Sequence, residues 1–273
     1  VQTTIADLAA MKSRGEPIAM LTAYDAPSAM ISERAGAPAL LVGDSLGMVV
    51  YGLPTTLAVT LDMMVAHAAA VVRSSERPLI VADLPFLTYF DEATAIASAG
   101  RLFAEAGVGA VKLEGGGDMI RIVARLTSLG MPVMGHLGYT PQSTHQIGLK
   151  VQARGETQAT QLMEDALALQ AAGAFAVVLE LVPAALAAAV TRALSIPTIG
   201  IGAGTGCDGQ IQVWHDVVGL YPTSPRHATR FGEAATSMEA TVRRYVDSVR
   251  SGAFSNCGPV GTKPKLVESG ADY

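Results

Sequence analysis

Charge is scarce in this sequence. Only 16% of its 273 residues are Asp, Glu, Lys or Arg, against about a quarter in ordinary globular proteins. The few charges do not favour a polyanion, since 19 basic side chains face 24 acidic ones for a net charge of −5. Nucleic-acid binding rests on clustered cationic contacts to phosphate, so the composition argues against that partner. Cysteine is rarer still, with Cys207 and Cys257 alone. Two cysteines with neither a CxxC pair nor Cys/His spacing build no disulfide framework and no structural zinc site. An uninterrupted membrane span is also lacking. The most apolar stretch, 171–194, contains Glu180, Pro183 and Arg192; a carboxylate at mid-span is costly in lipid and proline cuts the run in two. The first residues show neither the basic nor the apolar segment of a signal peptide. The expectation is a cytoplasmic protein acting on small molecules, with no membrane partner. There is no GKS or GKT for a P-loop, and Ser45 has no evident base partner of its own, which argues against a serine hydrolase.

Apolar residues, by contrast, make up 50% of the chain. That excludes intrinsic disorder and implies a large core, or a surface buried by oligomerisation. Short apolar runs occur at 18–23, 40–43, 79–82, 108–113, 133–135, 175–179, 198–201 and 211–214. Between them, 61–73, 92–106, 119–129, 158–172, 184–194 and 233–249 repeat apolar residues at three- and four-residue steps and are rich in helix formers. Strands that are apolar on both faces belong to parallel sheets covered by helices. Eight such runs predict an α/β fold, a (β/α)8 TIM barrel forming a single domain over 1–250. A doubly wound open sheet is the rival. The segment 251–273 is rich in Gly, Pro, Ser and Lys. It reads as a C-terminal tail, mobile or packed on a neighbour.

The residues that follow the apolar runs carry the chemistry. Asp25 follows the first, Asp44 and Ser45 the second, Asp83 the third, Glu114 the fourth, His136 the fifth and Glu180 the sixth. In a parallel barrel those strand ends meet on one face, where active sites are built. Several carboxylates in one pocket repel each other unless one is protonated or a cation is present. Asp44, Asp83 and Glu114 offer hard oxygen ligands of the kind that suit Mg2+. The plain alternative is that strand-end acids cap the next helix. Lys112, two residues before Glu114, is either a clamp on an anionic substrate or the partner of a strand-end acid. His67, on a helical stretch, reads as a core or surface residue rather than a ligand, and Met63-Met64 as helix packing. His145 falls in a polar segment that could form a lid, and His215-Asp216, after the last apolar run, reads as catalytic or, in preference, as the N-cap of the following helix.

At these positions the sequence resembles a known family. Leu21-Thr-Ala-Tyr-Asp25, Val42-Gly-Asp-Ser-Leu-Gly-Met48, Ala82-Asp-Leu-Pro-Phe86, Val111-Lys-Leu-Glu-Gly-Gly116, Gly135-His-Leu-Gly-Tyr-Thr-Pro-Gln-Ser143 and Gly200-Ile-Gly-Ala-Gly204 resemble, in order, the motifs of the ketopantoate hydroxymethyltransferases. The resemblance implies a barrel of the phosphoenolpyruvate mutase/isocitrate lyase group and a cyclic homo-oligomer, commonly a decamer. It implies transfer of a one-carbon unit from 5,10-methylenetetrahydrofolate, a co-substrate, to 3-methyl-2-oxobutanoate, giving 2-dehydropantoate for pantothenate and coenzyme A synthesis. By motif position Asp44, Asp83 and Glu114 correspond to the shell of one Mg2+ per subunit. Asp44, Ser45, Asp83, Lys112 and His136 correspond to substrate contacts, and Glu180 to the proton acceptor. The stretch Gly148-Leu-Lys-Val-Gln-Ala-Arg154 departs from the family's usual pattern, which has glycine before the arginine.

Overall fold

The eight apolar runs become eight parallel strands. They are β1 (Ile18–Thr22), β2 (Ala39–Val42), β3 (Leu79–Asp83), β4 (Ala110–Lys112), β5 (Val133–Gly138), β6 (Ala176–Glu180), β7 (Thr198–Ile201) and β8 (Gly209–Gln212). Each pairs with the next and β8 returns to β1, so the sheet closes into a barrel. The open-sheet rival is thereby excluded. The computed structural model describes residues 1–253. The expected tail at 251–273 therefore lies almost wholly outside the described residues. Among those described, no helix is long and apolar enough to cross a membrane.

The helices alternate with the strands. One helix, α1 (Ile5–Arg14), precedes the barrel, and α2 (Ala26–Arg34) links β1 to β2. The β2–β3 connection holds α3 (Leu46–Val49) and α4 (Leu61–Arg73), and α5 (Glu92–Arg101) with a π-helical turn, Leu102–Ala106, links β3 to β4. Then come α6 (Met119–Ser128), α7 (Thr144–Ile147), α8 (Glu156–Ala171) and α9 (Ala184–Ala193). After β8 stand α10 (Trp214–Val218) and α11 (Ala234–Arg250). No helix separates β7 from β8, where glycines crowd the short connection.

Three features differ from the sequence expectation. The helix α1 is not among the apolar-run segments, although Thr4 and Asp7 form a capping box at its start. Its Leu8 and Met11 plug the lower end of the lumen. Strand β8 starts two residues before the run at 211–214. Gly209 lies so close to Ile18 that a Cβ there would meet the Ile18 carbonyl oxygen at 2.3 Å, so a residue without side chain opens the strand and Trp214 passes into α10. Third, Ala153 occupies the left-handed region with φ 53°, at the place where the family pattern carries glycine. That conformation costs an L-residue about 1–2 kcal/mol.

The core is two-layered. Between sheet and helices lie residues such as Leu40, Val42, Ile80, Val111, Val177 and Leu179. Inside the lumen lie the alternate positions, among them Met20, Leu41, Val81, Ala110, Met134 and Val178. This period of two decides what stands at the top. Counting on by twos reaches Asp83 from Val81, Lys112 from Ala110, His136 from Met134 and Glu180 from Val178. The lumen thus changes from apolar to charged at its carboxyl end.

Gly138, which ends β5 beside Glu180, has φ 93°. A Cβ there would lie 2.2 Å from the Glu180 carbonyl oxygen. Gly138→Ala is expected to lower stability by about 1–3 kcal/mol or more, read as a shifted midpoint in urea unfolding.

Candidate active site

Lys112 is the centre of the charged layer. Register pairs it with Asp83 on β3, and its Nζ lies 2.7 Å from Asp83 Oδ1. Burial pushes the ammonium toward neutrality, but Asp83, Glu114 and Asp44 outweigh it and carry its pKa above the ordinary lysine value. Asp83 Oδ2 accepts from the Asp44 backbone N–H at 3.0 Å, which ties the β2 turn to β3. His136 bridges two further acids. Its Nδ1 is 3.3 Å from Glu114 Oε1 and its Nε2 is 3.2 Å from Glu180 Oε2, the latter off the line of a hydrogen bond. Burial and the Lys112 charge oppose protonation of His136, yet the two carboxylates prevail and its pKa is pushed up to about 9. Burial raises Asp44 well above the usual carboxylate range, with Asp83 and Glu114 adding to the rise. Burial also raises Asp83, against the pull of Lys112. In Glu114 the same burial is outweighed by His136, so its pKa falls.

One cavity of about 380 Å³ is lined by Asp44, Ser45, Asp83, Lys112, His136 and Glu180. The structure therefore brings six of the seven expected site residues onto one space, with Glu114 directly behind His136. Lys112 proves to be both ion-pair partner and cavity wall. Ser45 is held by a 2.7 Å hydrogen bond with the buried Tyr24 hydroxyl. Asp25, also at a strand end, does not join. It caps α2, accepting from the Ser28 N–H at 2.8 Å, as the plain reading of such acids had it. Leu181, just after Glu180, has φ 47°, a strained conformation for leucine. Its N–H donates to Ile201 O at 2.9 Å and its carbonyl accepts from Gln152 N–H at 2.8 Å, which holds the turn in place.

The comparisons with known proteins agree with this architecture. The family model described as ketopantoate hydroxymethyltransferase matches residues 2–256. The chain belongs to this family. A curated relative from Gluconacetobacter diazotrophicus, named 3-methyl-2-oxobutanoate hydroxymethyltransferase, is 64% identical over 93% of this chain and 92% of its own length. Among solved structures, 2,3-dimethylmalate lyase, a PEP mutase/isocitrate lyase superfamily member, matches with a TM-score of 0.59 at 16% identity, covering 96% of this chain and 93% of its own. Phosphonopyruvate hydrolase, solved with oxalate and Mg2+, matches with a TM-score of 0.61 at 14% identity, covering 92% and 88%. These two likenesses are of fold: this hydroxymethyltransferase family member shares the expected barrel with them. As a family member the chain is a transferase.

The sequence reading left out Gln142, which organises the site. Its side-chain N–H2 donates to Asp44 Oδ2 and Leu84 O, both at 2.9 Å. Its backbone N–H donates to Glu114 Oε2 at 3.0 Å, and its Oε1 accepts from Tyr89 OH at 2.6 Å. The residue lies in the quoted Gly135–Ser143 motif, but a neutral amide six residues past the strand-end histidine shows no charge to single it out. The expected cap at His215-Asp216 is corrected too. Val213 caps α10 without a side-chain bond, because the strand ends earlier than expected and Trp214 already lies in the helix. His145 sits in the short α7 and does not line the cavity.

Among the described residues, no three His, Cys, Asp or Glu side chains are drawn together as a ready metal cluster. Asp83 is closed on Lys112, and Glu114 on His136 and Gln142. The donor chemistry still fits a hard cation. Four carboxylates face one ammonium and one imidazole in a buried site; burial raises Asp44 most, and the neighbouring Asp83 and Glu114 add to the rise. Gln142→Ala would strand Asp44 Oδ2, Leu84 O and the Tyr89 hydroxyl. It is expected to cost about 1–3 kcal/mol for each buried group left unsatisfied, checked by denaturant unfolding.

Proposed function

We propose that this chain transfers a hydroxymethyl group to 3-methyl-2-oxobutanoate, giving 2-dehydropantoate, with 5,10-methylenetetrahydrofolate as the one-carbon donor. One water is consumed and tetrahydrofolate is released. The observation that carries the reading is the convergence of Lys112, His136 and Glu180 on a single buried cavity. Those are the groups that an aldol-type addition needs: a base for a weakly acidic C–H and a cation for the developing oxyanion.

The mechanism follows from their placement. Glu180, at the cavity edge, takes the C3 proton of the oxo acid. His136, held between Glu114 and Glu180, sets the orientation of that carboxylate. Lys112 lies where its ammonium stabilises the negative charge that builds on the substrate oxygens, and in a water-poor cavity this is the larger contribution to rate. Ser45, steadied by Tyr24, is a further donor for the substrate carboxylate. The one water opens the methylene bridge of the donor, breaking its C–N bonds and releasing tetrahydrofolate and a one-carbon carbonyl. The C3 carbanion adds to that carbonyl carbon, and the carbonyl oxygen takes the proton back from Glu180 to become the hydroxyl of the new hydroxymethyl group. Asp44, Asp83 and Glu114 would hold the divalent cation, Mg2+ in this reading and one per subunit. Bound there, it supplies Lewis-acid polarisation of the oxo acid. Met238, Val242 and Val249, exposed along α11, support the expected homo-oligomer.

Glu180→Gln is expected to slow exchange of the C3 proton of 3-methyl-2-oxobutanoate in D2O by about 10²–10⁴-fold, while the oxo acid still binds. Proton NMR follows the exchange, and an unchanged rate removes Glu180 from the role of base. Asp83→Ala is expected to weaken both Mg2+ and oxo-acid binding in calorimetric titration. It also leaves Lys112 without its closest partner, at a cost of roughly 3–5 kcal/mol in stability.

A further inference from the structure

The cavity extends past the charged layer. There its walls are Met48, Val49, Leu149, Tyr221 and Pro225. One carboxylate is set into this apolar part. Asp216, on α10, is 7% exposed and lines the same cavity. None of the charges at Lys112, Glu114 or Glu180 figures among the groups that act on it, so it belongs to a separate region. Its companions are Ser224, His227 and Arg230. Arg230 is turned away, toward Tyr221 O and the Glu233 carboxylate. Ser224 Oγ lies beside the Asp216 carboxylate without meeting it in a well-formed hydrogen bond, and among the described residues His215 Nδ1, next to Asp216 in sequence, is buried without a partner.

A buried carboxylate with no ion pair is costly. Its position in the first turn of a five-residue helix accounts for an acidic residue there, but not for its burial against an empty apolar wall. An oxo acid does not relieve the cost, because its own carboxylate is repelled. A flat ring presenting two parallel N–H donors does relieve it, in the fork geometry by which guanidinium meets carboxylate. Such a ring also has an aromatic wall to lie on. Tyr221 is stacked on His215 with ring centres 6.1 Å apart and planes 27° apart, and the Tyr221 hydroxyl is anchored on Val49 O at 2.8 Å.

We propose that Asp216 binds the N3–H and 2-amino group of the pterin ring of the one-carbon donor, which lies along the Tyr221 wall. This rests on the functional reading above and assigns the donor subsite of that cavity. The space is then divided by charge. Lys112 draws the anionic oxo acid to one region, and Asp216 draws a donor edge to the other.

The test compares tetrahydrofolate with its 2-desamino-2-methyl analogue, which lacks the amino donor. The full chain is expected to bind the parent about tenfold or more tightly than the analogue. In Asp216→Asn that preference is expected to fall to about threefold or less. Exchange of the oxo-acid C3 proton, measured without folate, shows whether the variant is folded. If it is not, the comparison on the unsubstituted chain decides by itself. Equal binding of parent and analogue to the unsubstituted chain overturns the proposal, as does a folded variant that keeps the full preference. An unsubstituted chain that exchanges the proton but binds no tetrahydrofolate overturns the functional reading instead, and the inference falls with it.

Discussion

Lys112 carries its ammonium into the barrel lumen, 4% exposed, and stays charged there only because Asp83 lies 2.7 Å away with Asp44 and Glu114 close by. Much of the site answers to that one buried charge. A lone ammonium in such a place would lose its proton, and a lone set of acids would gain one. Together they favour one another's charged forms, but the acids outnumber the cations, and burial still keeps Asp44 and Asp83 above the ordinary carboxylate range. The remaining negative charge is the basis for proposing a hard cation in this pocket, and the positive centre at Lys112 the basis for proposing an oxyanion beside it.

Gln142 and His136 turn this balance into geometry. Gln142 joins three connections of the barrel at once, fixing Asp44 from β2, Leu84 from β3 and Glu114 from β4. His136 spans from Glu114 to Glu180, so the Glu180 carboxylate on β6, the proposed base, has residues of β4 and β5 beside it. The strained backbone at Leu181 closes the chain of support. Distortion directly after Glu180 is tolerated because hydrogen bonds on both sides hold the turn. The apolar region around Tyr221 is built differently, from stacked rings and side chains beyond β8, which suits a broad flat ligand.

Much of this was legible in advance for a simple reason. In a parallel barrel each strand is buried on both faces, so it announces itself as an apolar run, and the first polar residue after it marks the catalytic end. Asp83, Lys112, His136 and Glu180 obey this and also fall in phase with the lumen. Asp25 obeys it equally and is a helix cap, since a strand-end acid has the same sequence signature whether it turns inward or bonds to its own next turn. Gln142 and Asp216 were hidden for opposite reasons. Gln142 is uncharged, and its importance comes entirely from four partners distant in sequence. Asp216 carries a charge, but its place after an apolar run gives it the signature of an ordinary cap, and only the start of β8 at Gly209 moves it into the helix.

The sequence by itself determined the number and order of the strands and the parity that turns Asp83, Lys112, His136 and Glu180 into the lumen. Both follow from local burial and the two-residue repeat, which need no knowledge of distant neighbours. Only the tertiary structure decided which acid pairs with Lys112, that Asp44 reaches the same cavity from a turn outside the strand's parity, and that Asp216 is buried with no close ion pair among the described residues. Those outcomes depend on barrel closure and register, which bring residues from separate βα units into contact.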